Sequence, residues 1–121
     1  MSVPNEALQL RSTLSEEAIL TLSLETVPVP TPAEDQVVVR IEATPINPSD
    51  LGLLFGMADM TKAEFSGTKE SPIVSAPVGT GPMAMQKARL GQSLAVGNEG
   101  AGIVVAAGES EAAQALIGKT V

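Results

Sequence analysis

Gln36-Val37-Val38-Val39-Arg40-Ile41-Glu42-Ala43 is the stretch that decides the fold class of this chain. Val37, Val39, Ile41 and Ala43 fall on one side of an extended backbone; Gln36, Val38, Arg40 and Glu42 fall on the other. A period of two is the signature of a strand with two unlike faces. Upstream the same period recurs. Leu8, Leu10, Ser12 and Leu14 alternate with Gln9, Arg11 and Thr13, and Ala18, Leu20, Leu22 and Leu24 alternate with Ile19, Thr21, Ser23 and Glu25. The short polar Ser15-Glu16-Glu17 between them predicts an antiparallel pair. Val27 to Pro32 carries proline at every second position, which removes backbone donors and fixes φ. That segment is expected to be extended and unable to enter the middle of a sheet.

Downstream, Thr44 to Gly56 reads as a turn and a short helix. Asn47 or Ser49 can cap it, Pro48 suits its first turn, Leu51, Leu54 and Phe55 have helical spacing, and Gly56 can end it. Met57 to Ser93 holds Gly67, Pro72, Pro77, Gly79, Gly81 and Pro82 and reads as a long loop, with a short helix from Met83 to Leu90. Gly100 to Ala107, with Ile103-Val104-Val105 at its centre, reads as a strand buried on both faces. Ser110 can cap a brief helix through Ile117, with Gly118 as its stop, and Thr120-Val121 reads as the start of another strand. Strands dominate and no βαβ alternation occurs. The expected class is mainly β, a barrel or sandwich with a few short helices.

Composition narrows the chemistry. The 121 residues suit one domain, and with only Phe55 and Phe65 as aromatics the core must be aliphatic. Seven basic against 14 acidic residues give a net charge of −7, which disfavours nucleic acid as a partner. No apolar run approaches the roughly 20 residues of a membrane span, and the N-terminus lacks a secretory h-region. No membrane partner and a cytoplasmic setting are therefore expected. Cysteine and histidine are both absent. Disulfides, Cys or His zinc sites, a nucleophilic cysteine, a Ser-His pair and a histidine base are excluded with them.

Two segments stand out, Ala43-Thr44-Pro45-Ile46-Asn47-Pro48-Ser49-Asp50 and Val96-Gly97-Asn98-Glu99-Gly100-Ala101-Gly102. Each sets amide and carboxylate groups beside proline or glycine at the edge of an apolar strand. Taken singly, Asn and Asp at such places most simply cap helices and make Asx turns. Gly97, Gly100 and Gly102 form G-x-x-G-x-G before a strand, the wrong order and the wrong following element for a dinucleotide fingerprint. Val78 to Pro82 lacks the lysine of a phosphate loop. Asp50 and Glu99 are carboxylates suited to acid–base work, but spacing alone does not bring them together. Met57, Met60, Met83 and Met85 read as adaptable apolar filler.

In order and spacing these segments resemble the medium-chain dehydrogenase/reductases, in the quinone oxidoreductase branch. The match runs from the proline-rich link into Gln36 to Ala43, through Ile46-Asn47-Pro48-Ser49-Asp50-Leu51 to Gly56, to Gly97-Asn98-Glu99-Gly100 to Val105 and Leu116 to Val121. The resemblance implies a GroES-like, partly open β-barrel over residues 1–121. It forms the substrate side of a cleft whose NADPH or NADH is held mainly by a following Rossmann domain. The chain would then be a truncated part of the enzyme, inactive alone. Zinc-dependent relatives place Cys where Asn47 stands and His where Asn98 stands. The resemblance therefore implies no zinc and hydride transfer to an acceptor that needs little activation, a quinone or enone. In that reading Asn47 bonds substrate or nicotinamide, Pro48 shapes the turn, Asp50 and Asn98 brace the loop, and Glu99 is the carboxylate beneath the cleft. Gly52 stands where quinone reductases often carry Tyr, so cofactor contact there does not carry over. A homodimer is left open. Two alternatives stay open beside this reading: a non-catalytic binding or assembly module that kept the barrel, and an enoyl-thioester reductase.

Overall fold

The computed structural model describes residues 2–121. Seven strands run in the order β1 (Glu6–Leu14), β2 (Ile19–Pro28), β3 (Val37–Ala43), β4 (Glu64–Gly67), β5 (Pro72–Pro77), β6 (Ser93–Ala95) and β7 (Ala101–Ala107). Three short α-helices lie among them, α1 (Leu51–Leu54), α2 (Thr80–Met85) and α3 (Glu111–Gln114). Single 3-10 turns cover Pro48–Asp50, Met60–Lys62 and Lys87–Arg89. The strands form a five-stranded sheet in the order β4-β5-β2-β1-β6 and a two-stranded sheet of β3 and β7. The chain is thus mainly β, with open sheets and few helical turns, as the period-two stretches predict. Among the described residues no helix is long and apolar enough to cross a membrane.

The fold has two units. The larger comprises Leu8–Thr26 and Ile46–Val96. Its hairpin of β1 and β2 turns through Ser15, whose N–H donates to the Ile19 carbonyl at 3.0 Å. Ala18 closes the turn with φ 63°, a left-handed conformation outside strand geometry. The second strand therefore starts at Ile19 and not at Ala18. It continues through Val27 to Pro28, where a proline at the strand end interrupts no interior ladder bond. Leu14, fully buried, packs with Leu20 and Val78, and Ala58, Met83 and Leu90 flank them.

The reading of Met57 to Ser93 as a long loop is overturned. It holds the β4–β5 hairpin, α2, two 3-10 turns and the first residue of β6. β5 lies inside the sheet, between β4 and β2, with Leu20 opposite Ala76 and Leu22 opposite Val74. Pro72 and Pro77, read as loop residues, are its first and last positions, where proline is tolerated. The expected helix from Met83 to Leu90 is α2 displaced toward the N-terminus, and a separate 3-10 turn follows Gln86.

The smaller unit comprises Val27–Pro45 and Gly97–Val121, with the N-terminal residues through Ala7. β3 and β7 pair antiparallel, with irregularities between Val38 and Val39 and between Ile41 and Ala43. A bulge shifts the phase of the residues beyond it, so the expected single apolar face of β3 breaks up and Ile41 is exposed. β7 is not buried on both faces: of its side only Gly102 and Val104 are buried. A Cβ on Gly102 would overlap the Arg40 carbonyl, so only glycine lets the two strands approach at this point. The other edge of β7 takes the C-terminal residues. Gly102 and Val121 exchange N–H···O bonds of 3.0 Å, and Thr120 bridges Ile103, in accord with the strand read at Thr120-Val121. The Ser110 hydroxyl caps α3 by accepting from the Ala113 N–H at 3.2 Å, and Gly118 ends the turn with φ 80°.

Candidate functional site

Asn47 to Asp50 forms a closed turn in the larger unit. Pro48 is the first residue of its 3-10 turn, where a missing N–H costs nothing. Asn47 is the N-cap with extended backbone angles. The Asp50 N–H donates to the Asn47 carbonyl at 2.9 Å. In return, the Asn47 N–H donates to Asp50 Oδ2 at 2.7 Å. Two reciprocal bonds, one of them to a carboxylate, fix the backbone that carries the Asn47 amide.

Asp50 is 4% exposed, the most buried charged side chain among the described residues. Its Oδ1 is buried and has no hydrogen-bond partner. A carboxylate kept in this state is costly, and such an orphaned acceptor points to a constraint other than stability. α1 follows directly. None of its side chains is buried, and Leu51 and, just past its end, Phe55 are exposed.

The helix is tethered from below by two residues that no motif singles out. Ser12 of β1, fully buried, donates its hydroxyl proton to the Leu53 carbonyl at 2.5 Å. Arg89, at the end of its 3-10 turn, donates from Nη2 to the same hydroxyl oxygen at 2.8 Å. Arg89 Nε and Nη1 are buried without partners. Burial holds the Arg89 guanidinium below the usual arginine range. Among the described residues no ion pair joins Arg89 to Asp50, although each has a bare polar atom. Ser12 left one trace in the sequence, a polar residue in phase with Leu8, Leu10 and Leu14. Arg89 left none: it lies in the short helix expected from Met83 to Leu90, where no spacing points to Ser12.

The two remaining predicted residues, Asn98 and Glu99, belong to the smaller unit, on the irregular segment that leads into β7. Both are exposed, and Gly97 before them has φ 96°. The structure thus brings Asn47, Pro48 and Asp50 into one turn of the larger unit, and Asn98 and Glu99 are adjacent in the chain on the smaller one. A shallow depression of about 450 Å3 in the larger unit is lined by Ile19, Lys62, Glu64, Ser75, Ala76 and Pro77, and none of the predicted residues lines it. Set beside protein-family models and curated proteins, the chain matches none of them.

Proposed function

We propose that this chain is the substrate-side domain of a zinc-independent, NAD(P)H-dependent reductase acting on quinones or conjugated carbonyls. The observation that carries the proposal is the Asn47–Asp50 turn, in which a buried carboxylate fixes the backbone of an asparagine. An amide side chain donates and accepts at once. Held in one place, it can orient a carbonyl oxygen and a carboxamide, the polar groups of a quinone and of a nicotinamide. The resemblance of Ile46 to Gly56 and Gly97 to Val105 to the quinone oxidoreductases, and the absence of Cys and His, support the same reading.

The dinucleotide as a whole does not fit this chain. Among the described residues the helices are three to six residues long; α2, which follows β5 through Val78 and Gly79, has six residues and no lysine, and the net charge is −7. Its phosphates find no cradle among the described residues. The reading assigns them to a separate cofactor domain, in a cytoplasmic enzyme. The bound nicotinamide supplies hydride. The residues here hold the acceptor, and the exposed Leu51 and Phe55 offer an apolar wall next to the turn.

The test uses the native protein. It is expected to bind NADPH or NADH in a calorimetric titration, to reduce 1,4-benzoquinone, and to keep its rate in EDTA. Asn47→Ala is expected to lower kcat/KM about tenfold or more, the size of one charge-assisted or orienting bond lost. A native protein that binds neither nucleotide is not this enzyme. Turnover of a crotonyl thioester in preference to benzoquinone would move it to the enoyl-thioester reductases.

A further inference from the structure

We infer that Ser12 and Arg89 are positioning residues that hold the Asn47–Asp50 turn in its working geometry through the Leu53 carbonyl. The inference rests on the reading of that turn as the substrate-holding element. A helix of four residues is not stable alone, and α1 has no buried side chain to anchor it. Its last carbonyls also lack intrahelical donors. The Ser12 hydroxyl supplies one, and it projects from β1, whose neighbours Arg11 and Thr13 pair with Ala95 and Ser93 of β6. The platform under the helix is therefore an interior strand, hydrogen-bonded to β2 on one side and β6 on the other.

Arg89 sets the direction of the bond. A hydroxyl has one proton and two acceptor sites, so Ser12 by itself could turn either way. A guanidinium only donates. With Nη2 occupying one acceptor site of the Ser12 oxygen, the proton of Ser12 is committed to Leu53. The positive charge also polarises the hydroxyl and strengthens its donation. Burying a guanidinium with two unpartnered nitrogens is a poor way to stabilise a fold. It is a good way to orient one hydroxyl.

Amide hydrogen exchange of the chain, read residue by residue by NMR, tests this. The Asn47 and Asp50 amides report the turn, and the Val78 amide, bonded to the Ala18 carbonyl at 2.8 Å, reports the core beneath it. Arg89→Met is expected to lower protection at Asn47 and Asp50 by about tenfold while Val78 keeps or gains protection. Arg89→Lys, which still donates to Ser12, is expected to restore most of the loss. Ser12→Ala should act like Arg89→Met at the turn, and if it fails to fold, the two Arg89 variants decide. Equal changes at Asn47 and Val78, or none at Asn47, overturn the inference. Loosening at Asn47 in a protein that binds no nicotinamide nucleotide would leave the tether standing and remove the reductase. Unchanged protection in an active reductase would do the reverse.

Discussion

Arg89→Met should make the larger unit more stable, not less. The substitution keeps an unbranched apolar stem of similar reach and removes the guanidinium. What is lost is the bond from Nη2 to the Ser12 oxygen, about 1.5–3 kcal/mol for a charged donor. What is relieved is the burial of Nε and Nη1 without partners, about 1–3 kcal/mol for each. Ser12 still has the Leu53 carbonyl within reach, so no new orphan is created, although the direction of its proton is no longer fixed. The balance favours methionine by about 2 kcal/mol. Because burial lowers the Arg89 pKa, the charged form is disfavoured in the folded state at every pH below that pKa, neutral pH included. A measurement at neutral pH therefore sees the whole effect. The chain has no Trp or Tyr, so urea unfolding is best followed by far-UV circular dichroism. The midpoint should rise by about 1 M. A fall of the midpoint would show instead that the guanidinium is a net stabiliser.

Leu14→Ala should destabilise the larger unit by about 2–5 kcal/mol, since Leu14 is fully buried among Leu20 and Val78; an unchanged urea midpoint would count against that core. Gly102→Ala should destabilise the smaller unit by about 1–3 kcal/mol through the clash with the Arg40 carbonyl. It would be read as lost exchange protection at the Val104 amide, which bonds the Lys119 carbonyl at 3.0 Å. The Asp59 carboxyl lies below its ordinary value of 3.8, first because the Thr61 hydroxyl donates to it at 2.5 Å, with further help from the Thr61 N–H and Lys62. Its contribution is present above the ordinary value and is lost as pH falls through the lowered one. Thr61→Val should move the Asp59 NMR titration upward, and an unmoved midpoint would contradict that cause.

Much of the β framework was legible because its signal is local. Alternation around Leu8 to Leu14 and Leu20 to Leu24 marks strands whatever they pair with, and Ser110 and Gly118 bound a helical turn by their own backbone chemistry. The Asn47–Asp50 turn was legible for the same reason, since its closing bonds lie within four residues. What was misread is what depends on partners. Pro72 and Pro77 look like loop residues until β2 and β4 flank them. The face of β3 looks continuous until the bulges against β7 change its phase. Arg89 carries no mark of a partner in the sequence until its guanidinium is found on Ser12.

Periodicity, composition and capping act over a few neighbouring residues, and on their own they define a mainly β chain without Cys or His chemistry and a turn capped at Asn47 or Ser49. Only the tertiary structure decided that Met57 to Ser93 completes a sheet, that Asp50 is buried with a bare oxygen, and that Ser12 and Arg89 reach the helix behind it. Those facts arise from groups 41 and 77 residues apart in the chain, where no pattern of near neighbours carries information.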